Sequence, residues 1–348
     1  MNLAYYPWQR DFAQIWLAQQ DQMAHAWLFH GLEGIGKRQL ILALAARLLC
    51  ETPSGIDACG QCQSCLWIKL GHHPDLMRVR PSAVEIQEAL DNPQESIEVD
   101  KPRSSTTTKP SSHLLVDQIR ALEPWYHRST HRSGWRIVLL YPAQALMVES
   151  ANALLKSLEE PPPNTLFLLS TPTPDRLLPT ILSRCQRRLL PTPDIQVSQT
   201  WLKAQGVQNP ESWLAMAGGA PVQAQLLSQT MDSPCPGWLQ TLITDLARQG
   251  QTNLAAIQTA LQDVEATAWL DSLQRLAIDL CLSCAQQPVR YLVTLQAPIQ
   301  ALAARQPLTQ WMHWQQWITE QRRFAQHPFN ARLFIRACLQ KLVDTVHS

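Results

Sequence analysis

A glycine-rich loop between an apolar run and a helical pattern constrains the fold of this chain more than any other feature. The loop reads Gly31-Leu32-Glu33-Gly34-Ile35-Gly36-Lys37-Arg38, with the apolar run at 26–29 before it and the helical pattern at 39–49 after it. In this order, glycines turn backbone N–H groups toward an anion, a lysine adds a point charge and the helix N-terminus adds its dipole. We therefore predict a phosphate-binding loop with four candidate nucleotide contacts: Gly31, Gly34, Gly36 and Lys37. The alternative is a glycine turn that binds nothing.

The loop departs from a hydrolysing phosphate loop at its last position, Arg38. A Ser or Thr hydroxyl there would hold the magnesium of the nucleotide, whereas a guanidinium has no lone pair to offer a cation. A second departure follows the apolar strand pattern at 135–140. Where acidic residues should hold the metal and activate water, the chain has Tyr141 and Pro142. We expect no intrinsic ATPase activity, and ATP binding stays open.

Four of the nine cysteines lie close together in the pattern C-x8-C-x2-C-x2-C. They are Cys50, Cys59, Cys62 and Cys65. Two residues between cysteines let both thiolates reach one tetrahedral ion, and four soft ligands leave no open coordination position. The pattern predicts a structural zinc site in a module at 50–65, with unliganded loop cysteines as the alternative. A separate pair, Cys281 and Cys284, lies inside a helical pattern and favours two core cysteines over a metal or redox site.

Composition excludes several functional classes. The formal net charge is +1, so the chain has no general attraction to polyanions, and any nucleic-acid contact must come from local patches. No run approaches the roughly 18 apolar residues of a membrane span, and the N-terminus lacks a charged segment followed by an apolar core. We therefore expect a cytoplasmic protein without a membrane partner.

Alternating strand and helix patterns run from 27 to 188 and predict a parallel α/β sheet wrapped by helices. An amphipathic helix at 7–23 is expected to pack near the nucleotide pocket. Residues 81–113 have too little apolar content for a core and read as a loop, with a flexible insertion near 91–112. From 189 onward the periodicity is helical, and aromatic residues at helical spacing predict core or subunit-interface positions: Trp311, Trp314, Trp317 and Phe324.

Several further runs are informative, and the last two of those named next are very specific. They are His25-Ala26-Trp27-Leu28-Phe29, His73-Pro74-Asp75, Val116-Asp117-Gln118-Ile119-Arg120, Ala151-Asn152-Ala153-Leu154-Leu155-Lys156-Ser157-Leu158-Glu159-Glu160-Pro161-Pro162 and Ser183-Arg184-Cys185. Together with the glycine loop and the cysteines, they resemble the delta-prime subunits of the bacterial DNA polymerase III clamp loader, within the AAA+ group. The resemblance covers essentially the whole chain.

The resemblance implies a fold and an assembly. It implies an α/β AAA+ domain at 1–188 with helices on both faces of its sheet, a small helical lid domain at 189–232, and an all-α collar domain at 233–348 that joins other subunits in a ring-like pentamer. The implied partners are clamp-loader subunits of the delta and gamma/tau types, the sliding clamp and primed DNA. The implied function is a non-hydrolysing subunit that helps to open the clamp and load it on primed DNA, within the DNA polymerase III holoenzyme.

The resemblance also implies site residues. In relatives that hydrolyse ATP, the arginine of the Ser-Arg-Cys run reaches the ATP of a neighbouring subunit, and it corresponds to Arg184. The magnesium-binding hydroxyl corresponds to Arg38, and the acidic pair corresponds to Tyr141 and Pro142. The nucleotide-sensing arginine of the lid corresponds to Val222.

Two other functions compete with this one. An active AAA+ ATPase subunit is favoured by the run from Gly31 to Lys37 but opposed by the departures at Arg38 and Tyr141. An independent zinc-dependent nucleic-acid-binding protein is favoured by the cysteines, but opposed by the near-neutral charge and the lack of a stripe of aromatic and basic residues.

Overall fold

The computed structural model describes residues 2–19, 23–91, 110–131, 134–248, 252–325, 327 and 330–347. The chain divides into two compact units, Met1–Val197 and Ser198–Ser348. Within these ranges no helix is both long and apolar enough to cross a membrane. The predicted boundaries of the lid and collar, 189–232 and 233–348, stay predictions.

The first unit is built on a parallel sheet. Over the described ranges its strands are β1 (Ala26–His30), β2 (Leu76–Val79), β3 (Arg136–Leu140), β4 (Thr165–Thr171) and β5 (Gln186–Leu189). Their order is β2-β3-β4-β1-β5, and all neighbouring pairs are parallel. Every residue of β3 and β4 is buried, so both faces of the sheet are covered, as the continuous apolar runs predict.

Helices follow the strands of this unit. They are α1 (Arg10–Leu17), α2 (Lys37–Leu49), α3 (Gln63–Leu70), α4 (Ser82–Asp91), α5 (Val116–Arg120), α6 (Leu122–Tyr126), α7 (Val148–Glu159) and α8 (Pro179–Arg184). Because the carboxyl ends of parallel strands meet at one edge of a sheet, the glycine loop after β1 and Tyr141 after β3 share that edge.

Helix α4 differs from the sequence prediction. Residues 82–91 are helical, so the reading of the whole segment 81–113 as a loop is wrong at its start. The helix buries Glu88 among arginines rather than a large apolar face, and apolar content therefore underestimates its stability. Within the predicted insertion near 91–112, residues 92–109 lie outside the described residues.

The N-terminal helix and strand β5 also differ from the sequence prediction. The N-terminal helix is shorter than 7–23, because a 3-10 turn at Pro7–Gln9 precedes α1. The sequence predicts no strand at 186–189, yet β5 forms there and pairs with β1 in parallel. All four β5 residues are exposed, because this strand lies at the sheet edge, where backbone hydrogen bonds hold it without an apolar pattern.

The second unit is helical over its described residues. Its helices are α9 (Ile195–Ala204), α10 (Pro210–Met216), α11 (Pro221–Thr230), α12 (Gly237–Ala247), α13 (Leu254–Leu261), α14 (Ala266–Cys284), α15 (Gln296–Ala303), α16 (Leu308–Gln321) and α17 (Ala331–His347), of which α9 begins just before the division. A parallel α/β unit followed by helices confirms the predicted fold class.

The core of the second unit contains most of the predicted aromatic positions. Trp311 and Trp314 are buried, and Trp317 packs against the same cluster. Phe324 is exposed, so it is not a core residue, and its position at a subunit interface stays a prediction. Cys281 and Cys284 pack against this core, as their helical spacing predicts.

Candidate functional site

The glycine loop has backbone geometry that requires glycine at two places. Gly31 has φ +145°, and a β-carbon there would lie 2.5 Å from the carbonyl oxygen of Leu190. Gly36 has φ +86°, and its β-carbon would lie 2.5 Å from Cδ2 of Tyr6. The third predicted glycine, Gly34, also has positive φ. The loop conformation therefore depends on glycine, and α2 begins directly after Gly36.

The ammonium group of Lys37 forms hydrogen bonds with the backbone of the loop. Its side chain is buried, and Nζ donates to the carbonyl oxygens of Gly31 at 2.9 Å and Leu32 at 2.6 Å. Burial lowers the pKa of Lys37 to about 8, and the nearby Glu33 carboxylate opposes that shift. At neutral pH the lysine is therefore mainly a cation that is already partnered by the loop.

The N-terminal segment covers the same loop. Trp8 Nε1 donates to the carbonyl oxygen of Ile35 at 3.0 Å, and Gln9 Nε2 donates to that of Gly36 at 2.8 Å. The Tyr6 and Trp8 rings stack with centroids 4.9 Å apart. This packing near the loop agrees with the sequence prediction, although the contacts come from the 3-10 turn and the residue before it.

Arg38 and Tyr141, the two predicted departures from a hydrolysing loop, meet on one carboxylate. Arg38 Nη1 donates to Glu88 Oε1 at 3.1 Å, and the Tyr141 hydroxyl donates to Glu88 Oε2 at 3.3 Å. The same Oε2 lies 2.8 Å from Arg80 Nε and 3.6 Å from Arg78 Nη1. The side chains of Glu88, Arg78 and Arg80 are each at least nine-tenths buried. An internal ion network therefore lies beside the glycine loop.

Tyr141 acts as a hydrogen-bond donor in this network. Burial, and secondarily the Glu88 carboxylate, raises the pKa of Tyr141 well above its usual value. The hydroxyl therefore stays protonated, and Tyr141 offers no anionic ligand to a cation.

The four predicted cysteine ligands lie together. All four sulfur atoms lie within 4.8 Å of one another, and Sγ···Sγ distances of 3.9 Å join Cys50 to Cys62 and Cys59 to Cys65. A tetrahedral ion with bonds of about 2.3 Å would place its ligands about 3.8 Å apart. The donor set and its spacing therefore fit one metal ion with a closed shell.

Hydrogen bonds prepare at least one of these thiols for metal binding. The Thr52 side chain, followed by the N–H groups of Gln61 and Cys62, lowers the pKa of Cys59 to about 5. The lowered pKa favours the thiolate form of Cys59, which is the form that ligates metals.

His73 belongs to the support of this module rather than to its ligands. Its Nδ1 accepts from the Asp75 N–H at 3.1 Å, so its Nε2 carries the proton and donates to Ser64 Oγ at 2.6 Å. The Ser64 hydroxyl then donates to the carbonyl oxygen of Leu49. This chain ties α3 to the end of α2.

Arg184 is the last residue of α8. Its Nη1 donates to the carbonyl oxygen of Thr180 at 3.0 Å and to Ser183 Oγ at 3.3 Å. Its Nη2 forms an ion pair with Oε1 of Glu159, the last residue of α7. The Arg184 side chain is 32% exposed, which leaves the guanidinium accessible at the surface of the first unit. Val222 lies in the first turn of α11.

Family comparison decides the membership of this chain. The family model described as "DNA polymerase III, delta subunit" matches residues 10–194, more than half of the chain. The chain belongs to this family. The match includes the glycine loop, the four cysteines, Glu88 and Arg184, whereas Tyr6, Trp8, Gln9 and Val222 lie outside it.

Curated relatives agree with that membership. DNA polymerase III subunit delta' of Pseudomonas aeruginosa is 39% identical over 228 residues, which are 64% of this chain and 61% of that protein. Subunit delta' of Escherichia coli is 34% identical over 186 residues, 53% of this chain and 48% of that protein. Subunit tau of E. coli is 34% identical over 161 residues, 46% of this chain and 20% of that protein. The matches thus span about half to three-fifths of the delta' relatives, and they confirm the predicted resemblance to delta-prime subunits.

The sequence does not predict which side chains form ion pairs or hydrogen bonds with the predicted site residues. Glu88 lies in a segment whose composition predicts a loop. Glu159 lies in the run at 151–162, but the sequence indicates no role for this residue. One signal in the sequence is the spacing of Arg78 in β2 and Arg80 directly after it, because residues two apart in extended backbone lie on the same side and two cations there need a counter-charge.

Proposed function

We propose that this chain is a non-hydrolysing subunit of the DNA polymerase III clamp loader. It acts in the cytoplasm with delta- and gamma/tau-type subunits to open the sliding clamp and load it on primed DNA. Membership in the delta-subunit family and the likeness to proteins named delta' and tau support this class of subunit. The absence of hydrolysis and the action of Arg184 on a neighbour are separate parts of the proposal.

One observation carries the absence of hydrolysis: Arg38 and Tyr141 both bind Glu88. A magnesium ion needs oxygen ligands with free lone pairs, and at this place it would instead meet guanidinium groups. Without the metal and without a carboxylate to orient water, phosphoryl transfer loses several orders of magnitude in rate.

ATP turnover by the isolated chain tests this part of the proposal. We expect no turnover above background, and no difference between the natural chain and Lys37→Ala. Turnover at the rate of an ordinary ATPase, abolished by Lys37→Ala, would support the active-ATPase alternative instead. Salt-sensitive binding of DNA by the isolated chain would support the alternative of an independent nucleic-acid-binding protein.

Arg184 is the residue proposed to act on ATP held by an adjacent subunit. A guanidinium donates to two phosphate oxygens at once and offsets the charge that develops as the γ-phosphoryl group departs. An arginine supplied in this way is typically worth roughly 10³ or more in rate at its site. Because the other sites of the complex keep their own arginines, total turnover should fall only in part.

Reconstitution with the other clamp-loader subunits tests the role of Arg184. Arg184→Ala should leave assembly intact but reduce the ATPase activity stimulated by clamp and DNA, and slow clamp loading. Arg176→Ala, at an exposed arginine shortly before α8, is the matched control and should change neither rate. Clamp loading at the normal rate by the Arg184→Ala complex would reduce Arg184 to a structural role.

We also propose zinc as the ion of the cysteine module. The four sulfur ligands support a soft, tetrahedral metal, and zinc in such a closed shell braces the loop and takes no part in the chemistry. Metal analysis should find one zinc per chain. Cys59→Ser and Cys62→Ser should lose it with a lower melting temperature, whereas Cys281→Ser should keep it. Full metal content in the first two variants would refute the assignment.

A further inference from the structure

The guanidinium of Arg184 is folded back onto its own chain. Its Nη1 group is used by Thr180 and Ser183, and its Nη2 group is used by Glu159. The contact with the Thr180 carbonyl runs back along α8 by one helical turn. Both terminal nitrogens, which are the groups that would face two phosphate oxygens, are therefore occupied within this subunit.

The position of Glu159 is electrostatically unfavourable within α7 itself. It ends α7, and a carboxylate at a helix C-terminus is disfavoured by the helix dipole, which favours cations there. Its partner Arg184 compensates that charge across two helices. The adjacent Glu160 is exposed and forms no ion pair in the part of the chain that is described, so the compensation is specific to Glu159.

We propose that Glu159 is a positioning residue that holds Arg184 away from the neighbouring subunit's nucleotide until the phosphates of that nucleotide displace it. This inference rests on the proposed function of Arg184. A triphosphate offers more charge and more acceptor oxygens than one carboxylate, so it can replace Glu159 as the partner of the Arg184 guanidinium. The ion pair is partly exposed and therefore weak enough to exchange.

The test uses the reconstituted complex and compares Glu159→Gln with Glu160→Gln. Releasing Arg184 should raise ATP turnover measured without clamp and DNA, by up to about five-fold at the affected site, the range open to an exposed ion pair. Turnover with clamp and DNA should not change. In the Arg184→Ala background, Glu159→Gln should have no further effect, since it acts through Arg184.

A spectroscopic measurement on the free chain separates positioning from general packing. Arginine side-chain ¹⁵N signals should show slowed rotation of the Arg184 guanidinium in the natural chain and in Glu160→Gln, and faster rotation in Glu159→Gln. If Arg184→Ala lowers stimulated turnover but Glu159→Gln matches Glu160→Gln in both readouts, or lowers unstimulated turnover, this inference is wrong and the proposed function stands. If Arg184→Ala leaves all rates unchanged, the proposed role of Arg184 fails, and the role of Glu159 fails with it.

Discussion

At the scale of single residues, the glycine loop is stabilised by its own chain. Lys37 donates to two loop carbonyls, Gln9 donates to the Gly36 carbonyl, and the Tyr6 ring lies against the Gly36 backbone. The buried Lys37 ammonium and Gln9 amide are thereby paired, which avoids the cost of leaving them unsatisfied. Contacts within the first unit therefore stabilise the loop conformation.

Gly36→Ala tests how tightly Tyr6 closes on the loop. We expect a loss of about 2–4 kcal/mol in the free energy of unfolding of the first unit, because about 1–2 kcal/mol comes from the left-handed backbone and the rest from the clash with the ring. Gly55→Ala is the control in the same unit, since Gly55 has φ +56° but no neighbour within 4 Å of its β-carbon. Urea unfolding measures both variants, and equal losses would contradict a tight contact with Tyr6.

At the scale of elements, α4 is attached to the sheet by charge. Glu88 on α4 binds Arg78 and Arg80 of the β2 region and also reaches Arg38 on α2. A buried carboxylate is tolerated only when it is paired, so the arginines and Glu88 require one another. The network thus joins α2 and α4 to β2, and Tyr141 adds a contact from the end of β3.

Glu88→Gln is expected to destabilise the first unit by about 3–5 kcal/mol, because Arg78 and Arg80 would keep buried charges without their carboxylate. Glu85→Gln removes an ion pair between Arg80 and a half-exposed carboxylate, so it should cost less than about 1 kcal/mol. Thermal or urea unfolding compares the pair. Similar, small losses in the two variants would mean that the Glu88 network is not a buried one.

At the scale of the whole molecule, the chain consists of two units with their own cores. In the first unit, apolar residues of the central strands are buried with α7 and α8, and in the second unit Leu202 packs with Trp213 and Ala224 while a larger cluster fills α12 to α17. Each unit therefore has the apolar core that independent folding needs.

Two fragments, 1–191 and 192–348, should each fold and unfold cooperatively, since the cut falls after β5 and before α9. Only the first should bind metal, whereas the second should compete with the full chain for assembly with the other subunits if 233–348 is the collar. Circular dichroism melting and a competition assay measure the two properties. A first fragment that melts without a cooperative transition would contradict an independent core.

The sequence by itself determined the parts of this protein that depend on neighbours along the chain. The glycine loop follows from glycine and lysine spacing, the cysteine cluster from two-residue gaps, and the central strands from continuous apolar runs. Family membership follows from the same local runs, which the family model matches. These features are visible in sequence because each is set by contacts a few residues long.

Only the tertiary structure decided which distant residues meet. Arg38 and Tyr141 are separate departures in the sequence, but the parallel sheet brings both to Glu88, on a helix that composition alone represents as a loop. Likewise, Arg184 and Glu159 pair because α7 and α8 end beside each other. The physical reason is that a buried or partly buried charge needs a partner of opposite sign. The packing of helices and strands in space decides which residue that partner is, and the local sequence pattern does not specify it.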